Sequence, residues 1–135
     1  MRKRMIHMEQ LKALLSLSGR MNRRSFLVNL LIVFVIGFVG GYILGLTKFS
    51  TVGICIGGPI VFIAILRELA VASRRIHDVN GPTFLAFVYI LSSIVAIWSP
   101  DIGLVLLFVK LLLVVIPGNK NTNKYGDKPE NKIVF

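Results

Sequence analysis

The chain has a single cysteine, Cys55, and two histidines, His7 and His77, among 135 residues. One cysteine excludes an internal disulfide. It lies in an apolar run, where a lone thiol reads as a small core residue. Two histidines and no acidic cluster leave no ligand set for a metal such as zinc. No nucleophile-elbow motif places a serine for a Ser–His–Asp triad. No catalytic, cofactor-binding or metal-binding residue is therefore assigned. The opening "MRKR" has the charge of a signal-peptide n-region. The first long apolar run begins only at Ser25, exceeds an h-region in length and lacks an A-x-A site. It reads as an uncleaved span.

What is present is apolar. The hydrophobic fraction is 55% and the mean hydropathy +0.77, against a usual apolar share nearer half with about a quarter charged. The length suits one domain. The formal net charge is +10. Seven of the sixteen Lys and Arg lie in residues 1–24, and four more follow Pro117. Basic residues flanking apolar segments point to anionic lipid headgroups rather than to nucleic acid.

The chain divides into a basic segment 1–24, a transmembrane domain 25–116 and a basic tail 117–135. In 8–18, Met8, Leu11, Leu14 and Leu15 share a helical face, which predicts an amphipathic interfacial helix. Spans are predicted at about 25–47, 49–72, 83–98 and 102–116, turning at Pro100. The first has 23 residues and no charge, enough to cross a hydrocarbon core of about 30 Å. Asn22 is its candidate N-cap. Gly37, Gly41 and Gly45 recur every four residues, as do Gly53 and Gly57, a pattern for close helix packing within the chain or with another copy. Pro59 should kink the second helix, which is expected to continue to Asp78 before "NGP" breaks it. Four crossings put both termini and the Lys-rich tail in the cytoplasm and leave only Lys48 and Asp101 in the external turns.

The polar stretch "SRRIHDVNGP" closes the second apolar run. On a helix Arg74 faces His77 and Asp78, and Arg75 faces Asp78. His77 and Asp78 are adjacent, so their side chains diverge, which disfavours a catalytic pair. The structural reading is that the arginines anchor a helix end and Asp78 accepts from Arg74, Arg75 or the earlier basic turn. That turn, "SGRMNRRSF", places Arg20, Arg23 and Arg24 before the first span, on the same face.

These pieces resemble a family. Ser-Gly-Arg and a basic pair open the first span, "RRIHD" closes the second, and Pro-Gly after the last leads into "NKYGDKP" at 123–129. This order is similar to that of the small bacterial inner-membrane family catalogued as domain of unknown function eight hundred and five, over about Leu14 to Pro129. By position, the resemblance implies that Gly19, Arg20, Arg23, Arg74, Arg75, His77, Asp78, Pro117, Gly118, Asn123, Tyr125 and Gly126 recur in it. The chain departs where it reads "GPTFLAF" in place of a tryptophan-rich stretch. The resemblance implies a polytopic inner-membrane protein and no enzyme, substrate or cofactor.

The sequence thus predicts an all-α integral membrane protein of four short spans preceded by an interfacial helix. Its expected role is structural or interactive, with a basic cytoplasmic-face network meeting anionic lipid, a membrane-protein partner or another copy. A transporter or channel component is the alternative, motivated by Arg67, Glu68 and Lys110, since intramembrane charge marks pathways. Counted from their helix ends, Lys110 and Glu68 lie at similar depth, so Lys110 is expected to pair with Glu68 or to snorkel outward.

Overall fold

The computed structural model describes residues 14–135. The described chain is all-α, with four helices and no strand: α1 (Arg23–Leu46), α2 (Thr51–Asp78), α3 (Phe84–Val95) and α4 (Pro100–Val115). Most of the expected helix at 8–18 lies outside the described residues. Leu14 and Leu15 are helical, and residues 16–18 are not. By length and composition, α1 and α2 are long and apolar enough to cross a membrane. α3 has 12 residues and α4 has 16, or about 18 and 24 Å at 1.5 Å per residue.

Local chemistry sets the helix ends. Asn22 is extended, and its side chain accepts from Ser25 N at 2.8 Å, capping α1. At the other end Thr47 Oγ1 donates to Ile43 O at 2.8 Å. Lys48 and Phe49 then take left-handed conformations, and Ser50 caps α2 through Gly53 N at 3.2 Å. α2 runs unbroken past Pro59 to Asp78. It stops in a Schellman arrangement: Asn80 has φ 63, Asn80 N donates to His77 O, and Gly81 N donates to Ile76 O. The turn expected at Pro100 comes earlier. Residues 96–98 form it, and Pro100 starts α4, where its missing N–H leaves no helix bond unmade.

The helices form a ring in which α1 packs on α2, α2 on α3, α3 on α4, and α4 back on α1. The α1–α2 contact is backbone-close. A Cβ on Gly57 would lie 2.9 Å from Gly40 O, and one on Gly40 would lie 3.0 Å from Val61 N. The expected glycine register is met only in part. Gly53 packs against Thr47, Gly57 against Gly40, and Gly37 sits at ordinary contact distance from Ala64. Gly41 and Gly45 have nothing within 4 Å. Neighbouring helical positions differ by about 100°, so the face that meets α2 runs through Gly40 and misses Gly41.

Two small apolar clusters fill the interior. One joins Ala72, Tyr89, Ile90 and Leu106; the other joins Met21, Phe26 and Val71. Outside them the shafts are bare. Phe34, Phe38, Phe62, Phe108 and Trp98 are all exposed. The start of α1, the end of α2, the start of α3 and the end of α4 gather at one end, called here the polar end.

Candidate functional site

The polar end is the most completely buried part of the molecule. Every residue from Ala70 to Asp78 is buried, and Arg75 is 0% exposed. Burying such charges requires partners for each. The last turns of α2 supply some, and three irregular segments supply the rest.

Asp78 is the hub. Arg20 reaches one carboxylate oxygen with Nε at 3.1 Å and with its terminal nitrogen at 2.9 Å. Arg75, one turn before Asp78, donates to the other oxygen. The remaining donors of Arg75 go to main-chain carbonyls of Met21, Leu113 and Ile116. Those of Arg20 go to carbonyls of Asn119, Asn121 and Gly126. Asn119 N in turn donates to Asp78 O at 2.7 Å. Two guanidiniums and one carboxylate therefore tie the approach to α1, the end of α2, the end of α4 and the tail into one unit. Charge-assisted bonds of this kind are the strong ones.

Gly118 explains how the tail comes so close. A Cβ there would fall 1.8 Å from Asp78 Oδ2. Only a glycine lets the backbone pass against the carboxylate.

His77 is held on both edges and one face. Nδ1 lies 3.1 Å from Gly19 O and so carries the proton; Nε2 accepts from the Thr83 hydroxyl at 2.8 Å. Tyr125 stacks on the ring, with centroids 3.7 Å apart and planes 5° apart. The tight turn from Asn123 to Gly126 delivers Tyr125. Gly126 there has φ 126, and Asn123 Nδ2 donates to His77 O at 2.9 Å. A histidine so engaged has no free nitrogen for substrate or metal. Among the described residues, no group of three or more His, Cys, Asp or Glu is placed to hold a metal ion.

The remaining candidates divide. Arg23 donates to Val115 O at 3.2 Å and is otherwise exposed. Arg24 is exposed. Arg74 turns away from Asp78 and back along α2, with Nε 3.4 Å from Ala70 O. Of the two donors that helical spacing offered Asp78, only Arg75 is used, and Arg20 of the earlier basic turn supplies the other.

The second charged group lies in the shafts. Lys110 Nζ is 2.8 Å from Glu68 Oε1, which also accepts from Tyr89 OH at 2.7 Å. The lysine sits 5.5 Å from the Tyr89 ring centre. This pair borders a cavity of about 760 Å³ between α1, α2 and α4, otherwise lined mainly by aliphatic and aromatic side chains.

Several contacts escaped the reading of the sequence, among them a second role for Asn22 beyond its cap. Asn22, Ser25 and Asn29, on one face of α1, seat the C-terminal residues. Their side chains bond the carbonyls of Glu130, Lys132 and Val134, and Ser25 Oγ also accepts from Val134 N. Ser73 bonds Leu17 O at 2.9 Å. Spacing of i, i+3 and i+7 for Asn22, Ser25 and Asn29 was the available signal.

No curated protein and no solved structure matches the sequence. The residues gathered at the polar end, from Gly19 to Gly126, fall within the range matched by one family model. A family model described as protein of unknown function (DUF805) matches residues 14–127, and the chain belongs to that family.

Proposed function

We propose that this chain is a polytopic protein of a bacterial inner membrane whose role is structural or interactive. The observation that carries the reading is the Asp78 clasp. Its charged groups are spent on holding segments together, which suits a platform better than a reaction centre. Arg23, Arg24, Lys120, Lys124 and Lys128 remain exposed on the same end. Each contributes roughly 1 kcal/mol toward an anionic surface, so the platform faces the cytoplasmic leaflet and meets acidic lipid or an acidic partner there.

Both termini would then be cytoplasmic. The start of α3 and the end of α4 meet at the polar end, so this follows whether their hairpin crosses fully or re-enters. Helices of about 18 and 24 Å fall short of a 30 Å core, and local thinning would accommodate a full crossing. Reporters fused after Phe135 and at Asp101 are expected to read opposite sides; a periplasmic C-terminus would sink the topology. For the role itself, Asp78→Asn is expected to lower abundance, and crosslinkers at Arg24 and Lys128 to capture lipid or a partner. Normal abundance with a lost phenotype would point to chemistry instead.

A second reading rests on the Glu68–Lys110 pair beside the cavity. Such a pair in a span can serve a proton or ion pathway. Flux in vesicles that Lys110→Met abolishes would favour it. If instead the Glu68→Lys, Lys110→Glu double variant recovers expression lost in each single variant, the pair is structural.

A further inference from the structure

The buried charges along α2 do not balance. Asp78 serves Arg20 and Arg75, and Glu68 serves Lys110. Glu130 pairs with Lys132, Asp127 bonds Thr122, and Asp101 lies in the first turn of α4 at the opposite end. Arg67 and Arg74 are left, and both are 7% exposed. Among the described residues, neither has a carboxylate partner. Arg67 donates to Leu14 O and Asn29 Oδ1, both neutral acceptors. Arg74 donates to Ala70 O, and one terminal nitrogen of its guanidinium is buried with no hydrogen-bond partner among the described residues.

The two arginines are also neighbours. They stand seven residues apart on α2 and so share a face. The bond to Ala70 O folds Arg74 back along α2, toward the turn that carries Arg67. Two buried like charges with an orphan donor between turns of one helix form an unfavourable arrangement. An anion resolves it. A guanidinium's planar fork of donors suits a tetrahedral oxyanion.

We propose that Arg67 and Arg74 form a binding site for a phosphate group, roofed by the 14–21 segment that crosses α2 at Leu14, Leu17 and Met21. The site rests on the membrane reading above and adds a ligand to it. Arg74 is four residues inside the end of α2, about 6 Å by helical rise, within reach of lipid headgroups at the polar end. Phosphatidylglycerol and free phosphate present the same chemistry.

The test uses the full chain, purified, delipidated and held in a phosphate-free maltoside detergent. Inorganic phosphate is added to one set, and phosphatidylglycerol to another. The expected result is a Tm rise of roughly 5 °C with one probe. That rise should be lost in Arg74→Gln and kept in Arg24→Gln. A rise with phosphatidylglycerol alone identifies a lipid; a rise with inorganic phosphate identifies a free anion. No rise with either probe overturns the site, as does an equal rise in Arg74→Gln. Glu9 is the acidic residue outside 14–135. A response that appears only in Glu9→Gln would mean the chain fills the site itself, which also overturns the proposal. Should Arg74→Gln fail to accumulate, native mass spectrometry of the wild type decides. Selective retention of phosphatidylglycerol or phosphate supports the site, and retention of neither refutes it. Asp78→Asn probes the clasp and these variants probe the anion, so the two readings fail separately.

Discussion

The two ends of α2 invert the usual order of a protein interior. Its last nine residues carry two arginines, a histidine and an aspartate, and all are buried. Its first half is apolar and mostly bare: Val52, Ile54, Ile56, Phe62 and Ile63 are exposed. In water that distribution would be unstable, since large apolar patches seek cover. In a bilayer the lipid covers the shafts and supplies no hydrophobic force between them. Specific cohesion must then come from close backbone packing and from polar bonds. The glycine contact of α1 with α2 supplies the first, and the clasp supplies the second. Comparing the regions shows that the polar end, not the apolar core, joins all four helices to the tail.

The largest test of that comparison is Asp78→Ala. It leaves Arg20 and Arg75 buried without a counter-charge, a loss of about 3–5 kcal/mol for a broken buried pair. Thermal unfolding in detergent should show the loss as a collapse in Tm, with the tail becoming open to protease. A Tm within a degree of wild type would show that the carbonyl contacts of the two arginines suffice.

Next comes Gly118→Ala. The added methyl would meet the Asp78 carboxylate, so the tail must move or the clasp must open. Overpacking of this kind is worth about 1–3 kcal/mol. Lower abundance is expected, with protease cleavage concentrated after Pro117. A wild-type cleavage pattern would mean that the tail does not lean on Asp78.

Within the shafts, Gly40→Val and Gly41→Val sharpen the contrast. The first pushes a side chain into Val61 and should cost about 1–3 kcal/mol, while the second points into open space and should be near neutral in the monomer. Circular-dichroism melts in detergent would order the pair. If Gly41→Val alone lowers stability, a second copy packs on the outer face of α1.

The smallest effect is expected at Arg24→Gln. Arg24 is exposed at the polar end, so its loss should change stability by under about 0.5 kcal/mol. Binding to acidic vesicles should still weaken measurably. An unchanged vesicle affinity would remove Arg24 from the lipid-facing surface.

Much of this was legible in the residues because it depends on local periodicity and charge. Asn22 as a cap, "NGP" as a stop and the uncharged run from Ser25 each depend on neighbours a few positions away. The depth match of Glu68 and Lys110 followed from counting residues to two helix ends. Asn29 was not legible, because a lone amide in an apolar run gives no sign of whether it meets lipid, a helix or the tail. Arg67 read as intramembrane charge and Arg74 as a helix-end anchor; their isolation emerges only once the described acids have been placed.

By itself, the sequence determined how many apolar segments there are, how long each is, and which ends carry positive charge. These follow from composition along a line. Tertiary structure decided which arginine reaches Asp78. Helical spacing allowed both Arg74 and Arg75, and Arg20 is 58 residues away. The choice fell to Arg75 and Arg20 because the carbonyls of Met21, Leu113 and Ile116 surround one guanidinium and those of Asn119, Asn121 and Gly126 the other. A buried donor goes where all its hydrogens find acceptors, and only the folded chain brings those acceptors together.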